Sequence, residues 1–211
     1  MTTFQDIDVL VAEKSLLKHP FYVKWSKGEL TLSDLRAYAK EYFRLVERIP
    51  GIVSRVRDRV TDGALQAQVA RNVVEEQEHV DLWKRFSYSL GLTDADLAAH
   101  VAAPKTEAAI RSLETIAERN LQDGMVAMYA FESELPKVAQ TKKDGLTAFY
   151  GLTSADAHVY FDEHLLEEKH IKVWRSQPLS GDAMTAADAS LTAQNQVLDA
   201  VCEACGISTD C

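Results

Sequence analysis

Glycine and proline are scarce in this chain, and they fall where runs of helical periodicity stop: Gly28, Gly63, Gly91, Pro104, Gly145, Gly151, Pro178 and Gly181. Glycine tolerates the left-handed backbone that closes a helix, and proline cannot continue one, so this placement cuts the chain into helices joined by short turns. The intervals predict helices near 4–18, 32–60, 64–90, 105–140, 154–176 and 183–204, with smaller pieces around 94–101 and 143–150. No stretch carries the period-two alternation of a strand, and there is neither a fixed-period repeat nor a low-complexity segment. The expected class is all-α, a bundle of about seven to eight helices. Pro50 and Pro136 fall inside long helical patterns. Each removes the hydrogen bond to the carbonyl four residues back, which predicts a kink at each and a freed carbonyl at Glu132 for the second.

The 211 residues, 46% of them hydrophobic, suffice for one core and do not call for two. We expect a single domain over residues 1–200 and a cysteine-bearing tail over 201–211. A net charge of -9 argues against a nucleic-acid partner, because no cluster of Lys and Arg is available to displace counterions from phosphates. The opening MTTFQDIDVLVAEKS has no basic leader, and no segment approaches the roughly twenty apolar residues of a membrane span, so a soluble, cytoplasmic chain is expected. Cys202, Cys205 and Cys211 all lie at the end of the sequence. They make no secreted disulfide framework and no complete tetrahedral metal set, and they read as a flexible thiol tail able to receive electrons from a reductant.

Charged residues that interrupt apolar stripes carry the chemical signal. In the 64–90 helix, Val69, Val73, Val80 and Trp83 share a face with Glu76 in its middle, and His79 follows one turn later. The 154–176 helix repeats the theme: Ala157, Tyr160, Phe161, Ile171 and Trp174 define a face with His164 near its centre, flanked by Glu167 and Glu168, and Glu167 begins a second Glu-x-x-His pair with His170. Between them, Glu132 sits among Met128, Ala130, Phe131 and Leu135. Three carboxylates and three imidazoles on three helices are the ligand supply of a carboxylate-bridged iron or manganese pair, whose hard oxygen donors suit oxidation chemistry. One Glu-x-x-His pair alone is common on Glu-rich surface helices; two, with Glu132 and His164, are more specific. His19, His100 and His158 read as surface or satisfied core histidines.

The segments HPFYVKWSKGELTLSDLRAYAKEYF, HVDLWKRF, YAFESELPKVAQ and YFDEH resemble the family of the Chlamydia protein associating with death domains and its bacterial relatives, over nearly the whole chain. That family belongs to the heme-oxygenase-like diiron proteins, with a fold similar to pyrroloquinoline quinone synthase and the TenA proteins. The resemblance implies that Glu76, His79, Glu132, His164 and His170 are metal ligands, with an acid between the last two. Two departures stand out. Only Gln77 and Glu78 separate Glu76 from His79, a shorter insertion than is usual, though a continuous helix still pairs them. The family spacing from His to acid to His is four and then three residues, whereas His164 and His170 are six apart, so Glu168 keeps the first spacing and Glu167 the second. Glu167 is favoured, because residues two apart point to opposite sides of a regular helix; a local bulge would favour Glu168.

The resemblance further implies an oxygenase that makes para-aminobenzoate for folate from its own side chains, cleaving and aminating a tyrosine with nitrogen from a lysine. The matching positions are Tyr22 and Lys142, and Tyr38 and Tyr42 are one turn apart, where they could line the cavity or relay electrons. On residue pattern alone, Tyr22 reads as a core aromatic and Lys142 as a solvated lysine beside Lys143. The implied cofactors are two metal ions, Fe/Fe or Fe/Mn, with dioxygen and an external reductant as co-substrates and the electron donor unspecified. The implied assembly is a homodimer. The alternatives are a multiple-turnover oxidase of the same fold acting on a free small molecule, and a non-enzymatic interaction protein.

Overall fold

Three threonines show how local sequence starts the helices. Thr3, Thr31 and Thr93 each accept the amide of an aspartate three residues on, and Asp6, Asp34 and Asp96 return the bond to the threonine backbone. The computed structural model describes residues 2–166, 168–179 and 181–209. In chain order the helices are α1 (Phe4–Glu13), α2 (Pro20–Lys27), α3 (Leu32–Val46), α4 (Ile49–Arg57), α5 (Gly63–Ser89), α6 (Asp94–Ala99), α7 (Pro104–Arg119), α8 (Leu121–Glu132), α9 (Leu135–Ala148), α10 (Ala155–His164), α11 (Glu168–Trp174) and α12 (Ala183–Cys205), and a 3-10 turn at Leu16–Lys18 follows α1. The all-α class holds, with no strand among the described residues.

The expected kinks are full breaks. Pro50 and Pro136 stand in the first turns of α4 and α9, where a missing amide hydrogen costs nothing, and α3 and α8 end before them. The 105–140 helix breaks once more at Asn120, whose backbone is extended and whose side chain accepts the Asp123 amide at 2.8 Å. The 154–176 helix divides after His164, and α2 was not anticipated. Its signals are Pro20 in the first turn, the His19 ring accepting the Phe21 amide at 3.2 Å, and Gly28 closing it at φ 68°.

The long α5 is the axis of the site: α3, α4, α10 and α11 pack on it, while α12 packs on α7, α8 and α3. Indole donors tie the layers. Trp83 Nε1 donates to the Ala39 carbonyl at 2.9 Å, fixing α5 to α3, and Trp25 Nε1 donates to the Lys142 carbonyl at 3.2 Å, fixing α2 to α9. No helix among the described residues is long and apolar enough to cross a membrane.

The cysteine reading needs correction. α12 runs through Cys202 and Cys205, and Cys202 is wholly buried. Burial pushes their thiols up to about 11 and about 12, so neither is the flexible, thiolate-prone group expected of a redox tail. Cys211 lies outside the described residues.

The α2–α9 contact depends on Gly145, where a Cβ would lie 2.6 Å from Trp25 Cδ1 and Nε1. Gly145→Ala is expected to cost about 1–3 kcal/mol in urea denaturation, whereas Gly51→Ala, a helical position with open space around it, should be neutral or stabilising by up to about 1 kcal/mol.

Candidate metal centre and lysine cage

Glu76 and His79, one turn apart on α5, are both buried, and His79 Nδ1 lies 3.3 Å from Glu76 Oε2. Glu132, the last residue of α8, and His170 of α11 close on the same point. His170 Nδ1 is 3.4 Å from Glu132 Oε2 and 3.8 Å from Glu76 Oε1, and one ligand atom from each of Glu76, Glu132 and His170 falls within 4.8 Å of the others. His164 of α10 lies beside them, its ring centre 4.5 Å from that of His79 and tilted by 42°. Its Nδ1 donates to the Tyr160 carbonyl at 2.7 Å, which fixes the tautomer, because a carbonyl can only accept.

Two residues support this group that the sequence reading did not assign to it. Glu75 Oε2 lies 2.6 Å from His170 Nε2, and Trp174 Nε1 donates to Glu132 Oε2 at 2.6 Å. Trp174 was visible only as part of an apolar face, and Glu75 carried no signal beyond its place next to Glu76. With Nε2 directed at Glu75, His170 turns its Nδ1 toward two carboxylates. Such a cluster suits a bound cation, because carboxylate, carboxylate and imidazole are a donor set that iron and manganese accept. Burial pushes the Glu76 carboxyl up, but the His79 hydrogen bond and the charges of His79, His164 and His170 outweigh it and hold the group below the usual range.

The structure thus brings together Glu76, Glu132 and His170, with His79 and His164 adjoining. Glu167 lies outside the described residues. Glu168 faces solvent, its side chain 87% exposed and 3.7 Å from Lys172. The regular-helix argument for choosing between these two acids does not apply, since α10 stops at His164. His19, His100 and His158 are satisfied elsewhere, by Asp199, Glu41 and the Leu152 carbonyl.

Lys142 is not the solvated lysine its pattern suggests; Lys143 has that role, pairing with Asp162. Lys142 is 3% exposed, and its Nζ lies 5.2 Å from the ring centres of Tyr22, Tyr42 and Phe161, 5.3 Å from Tyr38 and 5.9 Å from Trp83. The aromatic faces attract the ammonium, yet loss of hydration dominates and lowers its pKa to about 7. Tyr22, also buried, shares a hydrogen bond of 3.2 Å with the Tyr38 hydroxyl, and burial keeps both phenols protonated. Ring contacts connect cage and centre, from His164 to Tyr160 at 4.2 Å, Tyr160 to Trp83 at 4.7 Å and Trp83 to Tyr42 at 5.1 Å. Between Tyr42, Phe131, Tyr160, Glu76, Glu132 and His164 lies a cavity of about 20 Å³, water-sized.

The lysine gives a signed pH prediction. Between about 7 and its ordinary 10.5 the unfolded chain holds the Lys142 proton and the native chain does not, so the Lys142 contribution to native stability rises with pH across that window. The cost of burying the charge is fully present below about 7 and absent above 10.5. Lys142→Met should flatten this rise in urea-denaturation stability, and lysine Cε-labelled NMR should show one amine titrating well below the rest; a Lys142 signal titrating with the surface lysines would contradict the burial argument.

Residues 8–180 match the family described as TENA/THI-4/PQQC. The 4-aminobenzoate synthase of Chlamydia trachomatis serovar D is 34% identical over 182 residues, covering 84% of this chain and 78% of the relative. The 4-aminobenzoate synthase of Nitrosomonas europaea is 34% identical over 174 residues, covering 76% and 71%. Among solved structures, a TenA homologue from Pseudomonas syringae superposes with a TM-score of 0.80 at 14% identity, covering 94% of this chain and 92% of the other. A protein from Shewanella denitrificans with a heme oxygenase-like fold gives 0.76 at 17%, covering 96% and 91%. The fold is therefore heme-oxygenase-like, and the chain belongs to the TENA/THI-4/PQQC family.

Proposed function

We propose that this chain is an enzyme that makes para-aminobenzoate from its own Tyr22 and Lys142, using a two-metal centre held by Glu76, His79, Glu132, His164 and His170 with an acid near residue 167. The observation that carries this reading is the Lys142 amine, stripped of water and 5.2 Å from the centre of the Tyr22 ring. An amine whose pKa lies near 7 is substantially neutral at neutral pH and can act as a nitrogen nucleophile, which an ordinary lysine cannot. The names of the 4-aminobenzoate synthases among its relatives support the product.

A Fe/Fe or Fe/Mn pair, when bound, supplies reductive activation of dioxygen with electrons from an external reductant. The chain's own groups do the rest. Tyr38 holds the Tyr22 phenol through a hydroxyl–hydroxyl hydrogen bond of 3.2 Å. Tyr160, Trp83 and Tyr42 form a path of oxidisable rings between the histidines and the cage. The cage walls exclude water and hold the amine against the ring to be aminated. The space between the cage and the centre, about 20 Å³, has no room for a free substrate beside Tyr22 and Lys142, although a pocket of about 370 Å³ also opens beside His79 and His170. A substrate already built into the chain needs no such room.

Intact-mass spectrometry of iron- and manganese-loaded protein, before and after oxygen and reductant, tests the proposal. Mass is expected to be lost at Tyr22 as para-aminobenzoate appears, and Tyr22→Phe should stop both; oxygen uptake at constant protein mass would sink the idea. Glu75→Gln, which weakens the support of His170, is expected to lower metal affinity by about 10–100-fold in a chelator competition, while Glu78→Gln leaves it unchanged.

A further inference from the structure

Beside the proposed centre, α5 and α11 line an open pocket of about 440 Å³, within the size range of small-ligand sites. Its charge runs against that of the whole chain. Arg71, Lys169 and Lys172 line it in a protein of net charge -9, and the one carboxylate among its described lining residues, Glu75, is already engaged with His170 at 2.6 Å. Among the described residues, Arg71 and Lys169 make no ion pair, and Lys172 has only the exposed contact with Glu168 at 3.7 Å.

A second observation points to a ligand. Asn72 also lines the pocket but is only 4% exposed, and its Nδ2 has no hydrogen-bond partner among the described residues. A buried amide donor left unpaired is costly, and an acceptor held in the adjoining pocket would relieve it. We propose that this pocket binds a small organic anion through its carboxylate or phosphate groups. The Arg71 guanidinium supplies a planar two-donor fork, Lys169 and Lys172 supply point charges, and the Asn72 amide supplies a further donor. His170 and Glu75 form part of the wall, so the bound anion adjoins the proposed centre without entering it.

The test is calorimetric titration of the full chain at fixed ionic strength with succinate and, separately, phenyl phosphate. Saturable binding of either, with a Kd below about 1 mM, is expected, weakened about tenfold by Arg71→Gln or by Lys169→Gln and unchanged by Lys24→Gln on the distant α2. Binding of succinate alone assigns a carboxylate ligand, binding of phenyl phosphate alone a phosphorylated one, and binding of both a site that reads charge and size. All three support the pocket. Absence of saturation with both probes, or equal affinity in Arg71→Gln and the unaltered chain, would overturn it. Arg71 and Lys169 are exposed, so their replacement leaves the core intact.

Discussion

Burying two carboxylates is the constraint on which the rest of this structure depends. Glu76 and Glu132 are 7% and 1% exposed, and each ion removed from water costs several kcal/mol unless something answers its charge. Glu132 is the harder case, because it ends α8, where the helix dipole is already negative. Only cations and strong donors can hold acids there. The surroundings supply them: Trp174 donates to Glu132, His79 bonds Glu76, and His170 faces both. The break before Pro136 follows the same logic, since it ends α8 at the point where Glu132 meets α5 and α11.

The same helix that carries the acids also builds the cage. His79 and Trp83 are one turn apart on α5, so the indole that walls Lys142 is held by the backbone that holds the histidine. Trp83 is locked to α3 through the Ala39 carbonyl, and α3 brings Tyr38 and Tyr42 to the lysine. Trp25 grips the Lys142 carbonyl from α2, one turn beyond Tyr22. Amine, phenol and carboxylate cluster are therefore positions on one packed framework. A displacement at one is resisted by the others, as expected of a close-packed interior.

Much of this was legible in the sequence, and the failures have physical causes. Acids inside apolar stripes named Glu76 and Glu132 because a lone buried carboxylate is too costly to be accidental. Helix interiors were legible by periodicity, but Asn120 and the turn after His164 were not, because an apolar face can continue across a break. Lys142 was the sharpest failure of pattern reading. KK at 142–143 looks like a solvated pair, and only the three-dimensional meeting of α2, α3, α5, α9 and α10 surrounds one of them with five rings. Glu75 was invisible for a similar reason: its value comes from His170, far away in the chain.

If para-aminobenzoate is cut from the protein itself, isotope tracing will show it. Protein grown with ring-labelled tyrosine and amine-labelled lysine, then loaded with iron and manganese in unlabelled medium, is supplied with oxygen and reductant. Para-aminobenzoate carrying both labels is expected, in an amount not exceeding one molecule per chain. Product that is unlabelled, or that exceeds one equivalent, would mean that the atoms come from a free substrate and that Tyr22 and Lys142 only shape its surroundings.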